Sequence, residues 1–324
     1  DVLNGVFPVI SIRAPVIQVS DQSNGVYVKR YKYFVMKKLL FFFLLVGLVQ
    51  PALAGKPAWQ LFASNGEAVQ YQTMANKLLN NDVVFFGELH NNPIAHWLQL
   101  ELARDLHERS DRQLVLGAEM FEADDQLIVN EYLKGWIREK NFREGAKLWD
   151  NYRTDYRPLL EYAKKEGLPF IATNIPRRYA SMVAGGGFDT LDRLTEEAHQ
   201  YIAPLPIEYD PNLPGYKRML KMKHTPGMKR HNKNLPKAQA IKDATMAHFI
   251  IENRGKGDLL LHFNGTYHSN NKEGIVWYMR RHAAGTKVAT IATVEQADLE
   301  QLADKNHGLA DFILVVDRDM TTTY

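Results

Sequence analysis

The stretch Asp82-Val83-Val84-Phe85-Phe86-Gly87-Glu88-Leu89-His90-Asn91-Asn92-Pro93 decides how the chain is read. After one acid come four apolar residues of β-branched and aromatic type, which predict a strand buried on both faces. Gly87-Glu88-Leu89-His90 leaves that strand. From Ile94 to Arg109 leucines then recur at Leu98, Leu102 and Leu106, the spacing of a helix with one apolar face. A buried strand handing over to a helix through a short polar turn opens an α/β repeat, and the rhythm continues downstream. Residues 113–118 predict a second strand. Residues 158–165 predict a helix that Gly167 ends. A third strand follows at 169–173, and Pro176 opens another helix at the first-turn position proline favours. Strands are expected again at 258–263, 287–293 and 312–316, with helices at 237–253 and 272–282.

This alternation predicts an α/β fold: a mostly parallel sheet with helices on both faces. Between about 176 and 250 the rhythm breaks. Pro204, Pro206, Pro211 and Pro214 fall there with helical pieces and no strand pattern. That region is read as a small helical insertion subdomain. Gly185-Gly186-Gly187 follows a helix and is read as a flexible connection.

In parallel sheets ligands bind outside the carboxyl ends of the strands. Glu88 and His90 follow the first strand, Glu119 the second, and Gly265-Thr266-Tyr267-His268 the strand ending at Phe263. Both histidines stand three residues after a glycine, which permits a sharp turn off a strand end. Glu88, His90, Glu119 and His268 have the residue types of general acid–base catalysis, and His90, Glu119 and His268 those of a divalent-metal site. The plainer alternative is that each pins a loop by hydrogen bonding. Asn174, after the third strand, is read mainly in that way. His96, His107, His199 and His282 are assigned surface or capping roles.

A second region of interest is 211–242, which holds nine Lys/Arg and no Asp/Glu. Tyr216, Met219, Met222, His224, Met228 and His231 lie inside it, and Tyr209 just before. Positive charge attracts anionic groups, and phenolate, thioether and imidazole are haem-iron ligands. Tyr209, Tyr216 and His224 are therefore candidate haem-binding residues; a solvated basic face is the alternative.

Composition narrows the classes. The 324 residues contain no cysteine, which excludes disulfides, a Cys nucleophile, thiolate metal sites, c-type haem attachment and a lipidated N-terminal Cys. Residues 36–54 read Met-Lys-Lys, an 11-residue apolar run from Leu39 to Val49, and Ala52-Leu53-Ala54. This is the layout of a cleaved secretory signal, and the apolar run is shorter than the ~20 residues that span a bilayer. Residues 1–35 are read as a non-native upstream extension, Met36 as the true start, and 55–324 as one domain. Setting 1–54 aside takes the formal charge from +3 to about −1, so a nucleic-acid binder is not expected. Phosphate-loop and Gly-x-Ser-x-Gly signatures are absent.

Several ordered motifs carry a family resemblance over roughly residues 80–295. They are Phe86 to Pro93, Gly117-Ala118-Glu119-Met120-Phe121, Asp155-Tyr156-Arg157-Pro158-Leu159-Leu160, Ala172-Thr173-Asn174-Ile175-Pro176-Arg177, Ala238-Gln239 and Asp243-Ala244-Thr245-Met246-Ala247. With these the chain resembles the ChaN-type haem-binding proteins of the wider Tiki/erythromycin-esterase-like superfamily. The resemblance implies an α/β core with a helical subdomain, and haem binding linked to iron acquisition at the cell envelope. It also implies a homodimer around two stacked haems with tyrosine as iron ligand; Tyr209 and Tyr216 are chosen by their place in the insertion. Gly87/His90, Gly265/His268 and Glu119 resemble the metal-dependent hydrolase branch, the alternative function. Family members that are lipoproteins need a cysteine this chain lacks, so an exported, periplasmic or cell-envelope, non-lipidated binding protein rather than an enzyme is expected.

Overall fold

The computed structural model describes residues 57–221 and 233–324. The leader-like stretch, the residues before it, and His224 with its neighbours fall outside them. Residues 57–324 form one compact unit built on a seven-stranded sheet.

Its strands in chain order are β1 (Trp59–Ala63), β2 (Val83–Glu88), β3 (Leu114–Glu122), β4 (Phe170–Asn174), β5 (Leu259–Gly265), β6 (Val288–Gln296) and β7 (Phe312–Asp317). Their order across the sheet is β1-β7-β6-β2-β5-β3-β4. All neighbours are parallel except β1, which pairs antiparallel on β7 at the edge. The fold class expected from the sequence is therefore present.

The apolar runs work as two-faced strands. Val84 and Phe86 join the core on one side of β2, and Val83 and Phe85 the core on the other. Leu261 and Leu260 of β5 divide in the same way. The first core is closed by α1 (Tyr71–Leu78), α2 (Pro93–Arg109) and α5 (Arg157–Glu166), and the second by α9 (Leu235–Asn253) and α10 (Ile275–His282). Burying a side chain such as Phe85 contributes about 2–3 kcal/mol, and in β2 four such residues stand in a row.

Helix ends follow local chemistry. Asn92 caps α2 by accepting from the Ala95 N–H at 3.0 Å, with Pro93 in the first turn. Gly167 closes α5 in the left-handed conformation, φ 68°. Pro176 stands one residue earlier than expected, as the cap of α6 (Arg177–Gly186) rather than inside it, and Gly185 and Gly186 belong to that helix's last turn. Between α6 and α9 lie α7 (Glu196–His199) and α8 (Pro214–Lys221). Ile175, Val183, Leu191, Ile202 and Ile241 give this helical region a small core of its own. Two short helices, α3 (Gln126–Leu133) and α4 (Glu139–Gly145), follow β3.

Candidate functional site

The chain visits β2, then β3, and returns to insert β5 between them. The carboxyl ends of these three strands thus meet, and each delivers one part of the site. Gly87 makes the approach possible: a Cβ there would stand 2.9 Å from the Thr266 Cα and 3.0 Å from the Ile291 carbonyl oxygen. Glu119 is aimed by an irregularity. Residue 118 pairs with 172 on β4, but the next pair is Glu122 with Asn174, so extra residues bow out of the ladder between them. Bulges of this kind redirect side chains. Regular pairing of β3 with β5 ends at Ala118, although the strand itself runs on to Glu122, past the end expected from the sequence.

Glu88 is buried and fully engaged. It accepts from Tyr156 Oη at 2.8 Å, Gln99 Nε2 at 2.6 Å and His90 Nδ1 at 2.9 Å. Burial alone would raise its pKa, but the charge of His96, the hydrogen bond and charge of His90 and the hydrogen bond from Gln99 hold it below the usual carboxylate range. The ionised acid fixes the tautomer of His90: Nδ1 carries the proton and Nε2 is left as the free nitrogen. His90 Nε2 packs over Gly265, where a Cβ would come within 2.7 Å of it. Trp149 meets the same ring edge to face at 4.9 Å. Burial lowers the His90 pKa, but Glu88 and Glu119 together raise it above the ordinary imidazole value.

His268 is held between two carboxylates. Its Nδ1 lies 2.5 Å from Asp243 Oδ1 and its Nε2 3.1 Å from Glu119 Oε1. Burial works against the charged ring, yet the two acids push its pKa up to about 9, so at neutral pH both nitrogens donate. Glu119 also accepts from the Gly265 N–H at 2.7 Å, and the His268 charge holds it well below the usual range against the effect of burial. Of the two acids, burial pushes Asp243 up. Asp243 is the partner of Tyr216, whose hydroxyl donates to Oδ2 at 2.8 Å. The Gln239 amide lies against the His268 ring, 2.9 Å from Nδ1.

These groups face a cleft of about 600 Å³ between the strand ends and the helical insertion, within the range of small-molecule sites. Glu88, His90, Glu119 and His268, picked out from the sequence, all line it. Tyr209 and Tyr216 are not among its lining residues. Tyr216 is 4% exposed with its phenol given to Asp243, and Tyr209 stacks on it at 5.6 Å. Asn174 is buried at the end of β4 and does not line the cleft.

The expected divalent-metal site is not supported. Among the described residues no three acidic or His side chains are grouped to hold an ion. Within this group His268 is engaged by Asp243 at Nδ1 and by Glu119 at Nε2, and Glu119 also accepts from the Gly265 N–H.

His96 is also different from its expected surface role. It is 5% exposed, reaches the His90 carbonyl oxygen with Nε2 at 3.1 Å and lies 3.6 Å from Glu88. Asn151 donates to the same carbonyl at 2.9 Å and to Asp155 at 2.6 Å. Asp243, Tyr156 and Asp155 stand inside the ordered motifs, but no local pattern marks them for a role. Tyr267, 67% exposed on the cleft rim, is equally unmarked.

The family described as "Haem-binding uptake, Tiki superfamily, ChaN" matches residues 74–279. Among solved structures the chain is similar to one reported as cofacial haem binding to ChaN of Campylobacter jejuni. The TM-score is 0.59 at 15% identity, over 80% of this chain and 97% of that one. An erythromycin esterase mutant in its open conformation gives a TM-score of 0.42 at 12% identity, over 69% of this chain and 72% of that one. Protein RETICULATA-RELATED 5, chloroplastic, of Arabidopsis thaliana is 33% identical over 117 residues, 34% of this chain; the match spans 16% of that protein's length.

Proposed function

The chain belongs to the ChaN family of haem-binding uptake proteins in the Tiki superfamily, and from that premise we propose that it binds haem in the cleft between the strand ends and the helical insertion. The observation that carries this reading is the cleft itself. It combines a volume of about 600 Å³ with Trp149, Leu89, Met219 and Tyr267 as apolar and aromatic wall, and Arg177, Arg218 and Lys242 as cations. Those residues suit a flat, apolar ring that carries acidic groups on one edge. Haem supplies iron, and the chain supplies the pocket, its polarity and the axial ligand.

Within this reading the protein is an exported carrier in haem and iron acquisition. The support for export is the leader-like layout of residues 36–54. A homodimer around paired haems is part of the proposal, on the precedent of the cofacial arrangement named for the Campylobacter protein. The iron ligand is a tyrosinate. Tyr267 on the cleft rim is the stronger candidate, because Tyr209 does not line the cleft and the phenol of Tyr216 is committed to Asp243. Tyr216 then stiffens the site instead of ligating.

Single Tyr→Phe variants test the ligand. Loss of the tyrosinate charge-transfer band on haemin binding is expected for Tyr267→Phe, with Tyr209→Phe and Tyr216→Phe retaining it. An unchanged band in Tyr267→Phe removes the ligand assignment.

One observation favours a second activity, hydrolysis without a metal ion. The buried Glu88 orients His90, whose Nε2 has no hydrogen-bond partner among the described residues. A neutral His90 can take a proton from water there, with Glu88 stabilising the imidazolium that forms. His268, already protonated, is excluded as the base. Ester hydrolysis that survives His90→Ala undiminished contradicts this second reading.

A further inference from the structure

Helix α9 lines two cavities. Gln239 and Lys242 face the cleft at the strand ends, whereas Ala244, His248, Ile251 and Glu252, nearer the helix's carboxyl end, line a separate cavity of about 330 Å³. The two share no lining residue. Residues 203–208 of the helical insertion and Tyr278 and His282 of α10 complete the second cavity. Its volume lies at the small end of the range for ligand sites. Its body is apolar: Ala244 is buried, and Leu205, Ile207 and Ile251 pack against the neighbouring cores. Its walls are held in place. The buried Tyr278 donates its hydroxyl to the Glu208 carbonyl oxygen at 2.6 Å, Arg281 pairs with the Glu208 carboxylate, and His282 stacks on Tyr278 with the planes 10° apart.

The polar groups of this cavity are acceptors without donors. Among the described residues no Lys or Arg lines it. Of its two acids Glu208 is matched by Arg281, but the exposed Glu252 has no ion-pair partner among the described residues. His248 stands four residues before Glu252, so one turn of α9 carries both on the same side. Burial lowers the His248 pKa below the ordinary imidazole value, and its ring has no hydrogen-bond partner among the described residues. A neutral imidazole keeps one lone pair. His248, Glu252 and His282 are not grouped to hold a metal ion. We propose that this cavity binds a small organic cation, an ammonium group on a compact apolar body, with Glu252 and His248 receiving the ammonium at the mouth. An ammonium has three donors and no acceptor, and its hydrogen bond to a carboxylate is of the stronger, charge-assisted kind. A ligand with a carboxylate would meet Glu252 with no lining cation to offset it. Haem is excluded on the same ground, so the proposal stands independently of the haem reading.

The test is isothermal titration calorimetry of the full chain with phenethylamine, which is an ammonium ion at neutral pH. Phenethyl alcohol and hydrocinnamate are run beside it; they keep the ring and carry a neutral and an anionic group in place of the ammonium. Wild type, Glu252→Gln and Ala244→Leu are compared, the last to fill the cavity. Far-ultraviolet circular dichroism confirms that each variant is folded, and Glu252→Gln, at an exposed side chain, decides the matter even where Ala244→Leu fails to fold. Phenethylamine is expected to saturate the wild type with a Kd on the order of 1 mM. The alcohol is expected to bind at least about fivefold more weakly, and hydrocinnamate to give no saturable heat. Glu252→Gln should weaken the amine by about threefold to tenfold and leave the alcohol unchanged, and Ala244→Leu should abolish both. No saturable heat from the amine with the wild type overturns the proposal, as does an alcohol that binds as tightly. An amine affinity unchanged in Glu252→Gln also overturns it, since the ammonium would then be held elsewhere, for instance by Glu88 and Glu119 of the other cleft.

Discussion

His268 shows how a single residue sets the character of the site. An imidazole at a strand end looks, in sequence, like a base or a metal ligand. Enclosed by Glu119 and Asp243 it is held as a cation at neutral pH and is no base. Its charge is an integral part of folding. A His raised by folding contributes stability that is complete below its unfolded pKa and is lost as pH climbs through the folded value. For His268 that window runs from about 6.5 to about 9, and the loss is on the order of 3 kcal/mol. His90, also raised, adds in the same direction. Denaturant midpoints should therefore fall between pH 6.5 and 9.5, and Asp243→Asn, which removes one of the two acids, should flatten the fall. A midpoint that rises over that range contradicts the assignment. Glu88 and Glu119 are held low, so their contribution is present above the usual carboxylate range and is lost as pH falls through it toward their depressed folded values. What the sequence left out at this scale is instructive. Glu88, His90, Glu119 and His268 were legible because each follows a buried run by one to five residues. Asp243 was not, because it lies in the middle of α9, more than a hundred residues from Glu119, and no local pattern distinguishes it from a solvated helix acid. His96 shows the same limit: its spacing is helical, but only the return of Asn151 and Asp155 to the His90 loop makes it an interior group.

At the scale of elements, the strand–turn–helix unit from Val83 to Arg109 carries both the fold and half of the site. Its cap is a separable contribution. Asn92 is buried and bonded to the Ala95 N–H, so Asn92→Ala should cost about 1 kcal/mol in denaturant unfolding. A change below a few tenths would show that the Pro93 turn starts α2 unaided. β2, β4, β5 and β7 were legible within one or two residues, and β6 runs three residues past its expected end. Four elements were not legible. β1, Trp59–Ala63, is a half-buried edge strand, and α1, Tyr71–Leu78, α3, Gln126–Leu133, and α4, Glu139–Gly145, span about two turns each, so none offers enough periodic residues to stand out. The extension of β3 to Glu122 was hidden for another reason. The irregularity after Ala118 is a matter of pairing with β4, which is a tertiary fact.

In the whole molecule, function is the meeting of two parts with different jobs. The sheet supplies a rigid, acidic, hydrogen-bonded floor at the point where β5 enters between β2 and β3. The helical insertion supplies the cationic wall, and Tyr216 ties the two together by donating from α8 to Asp243 on α9, whose other oxygen holds His268 of the turn after β5. The break in rhythm between 176 and 250 marked that second part in the sequence, and its basic run marked its charge. Their relation to the floor needed the fold. The account stands or falls on whether this cleft takes haem. Titrating the purified protein with haemin, with the Soret band followed and molar mass read by light scattering, tests it most directly. A saturable Soret shift accompanied by a rise from monomer to dimer mass is the predicted result. Haemin spectra that stay those of the free ligand at every protein concentration would contradict it.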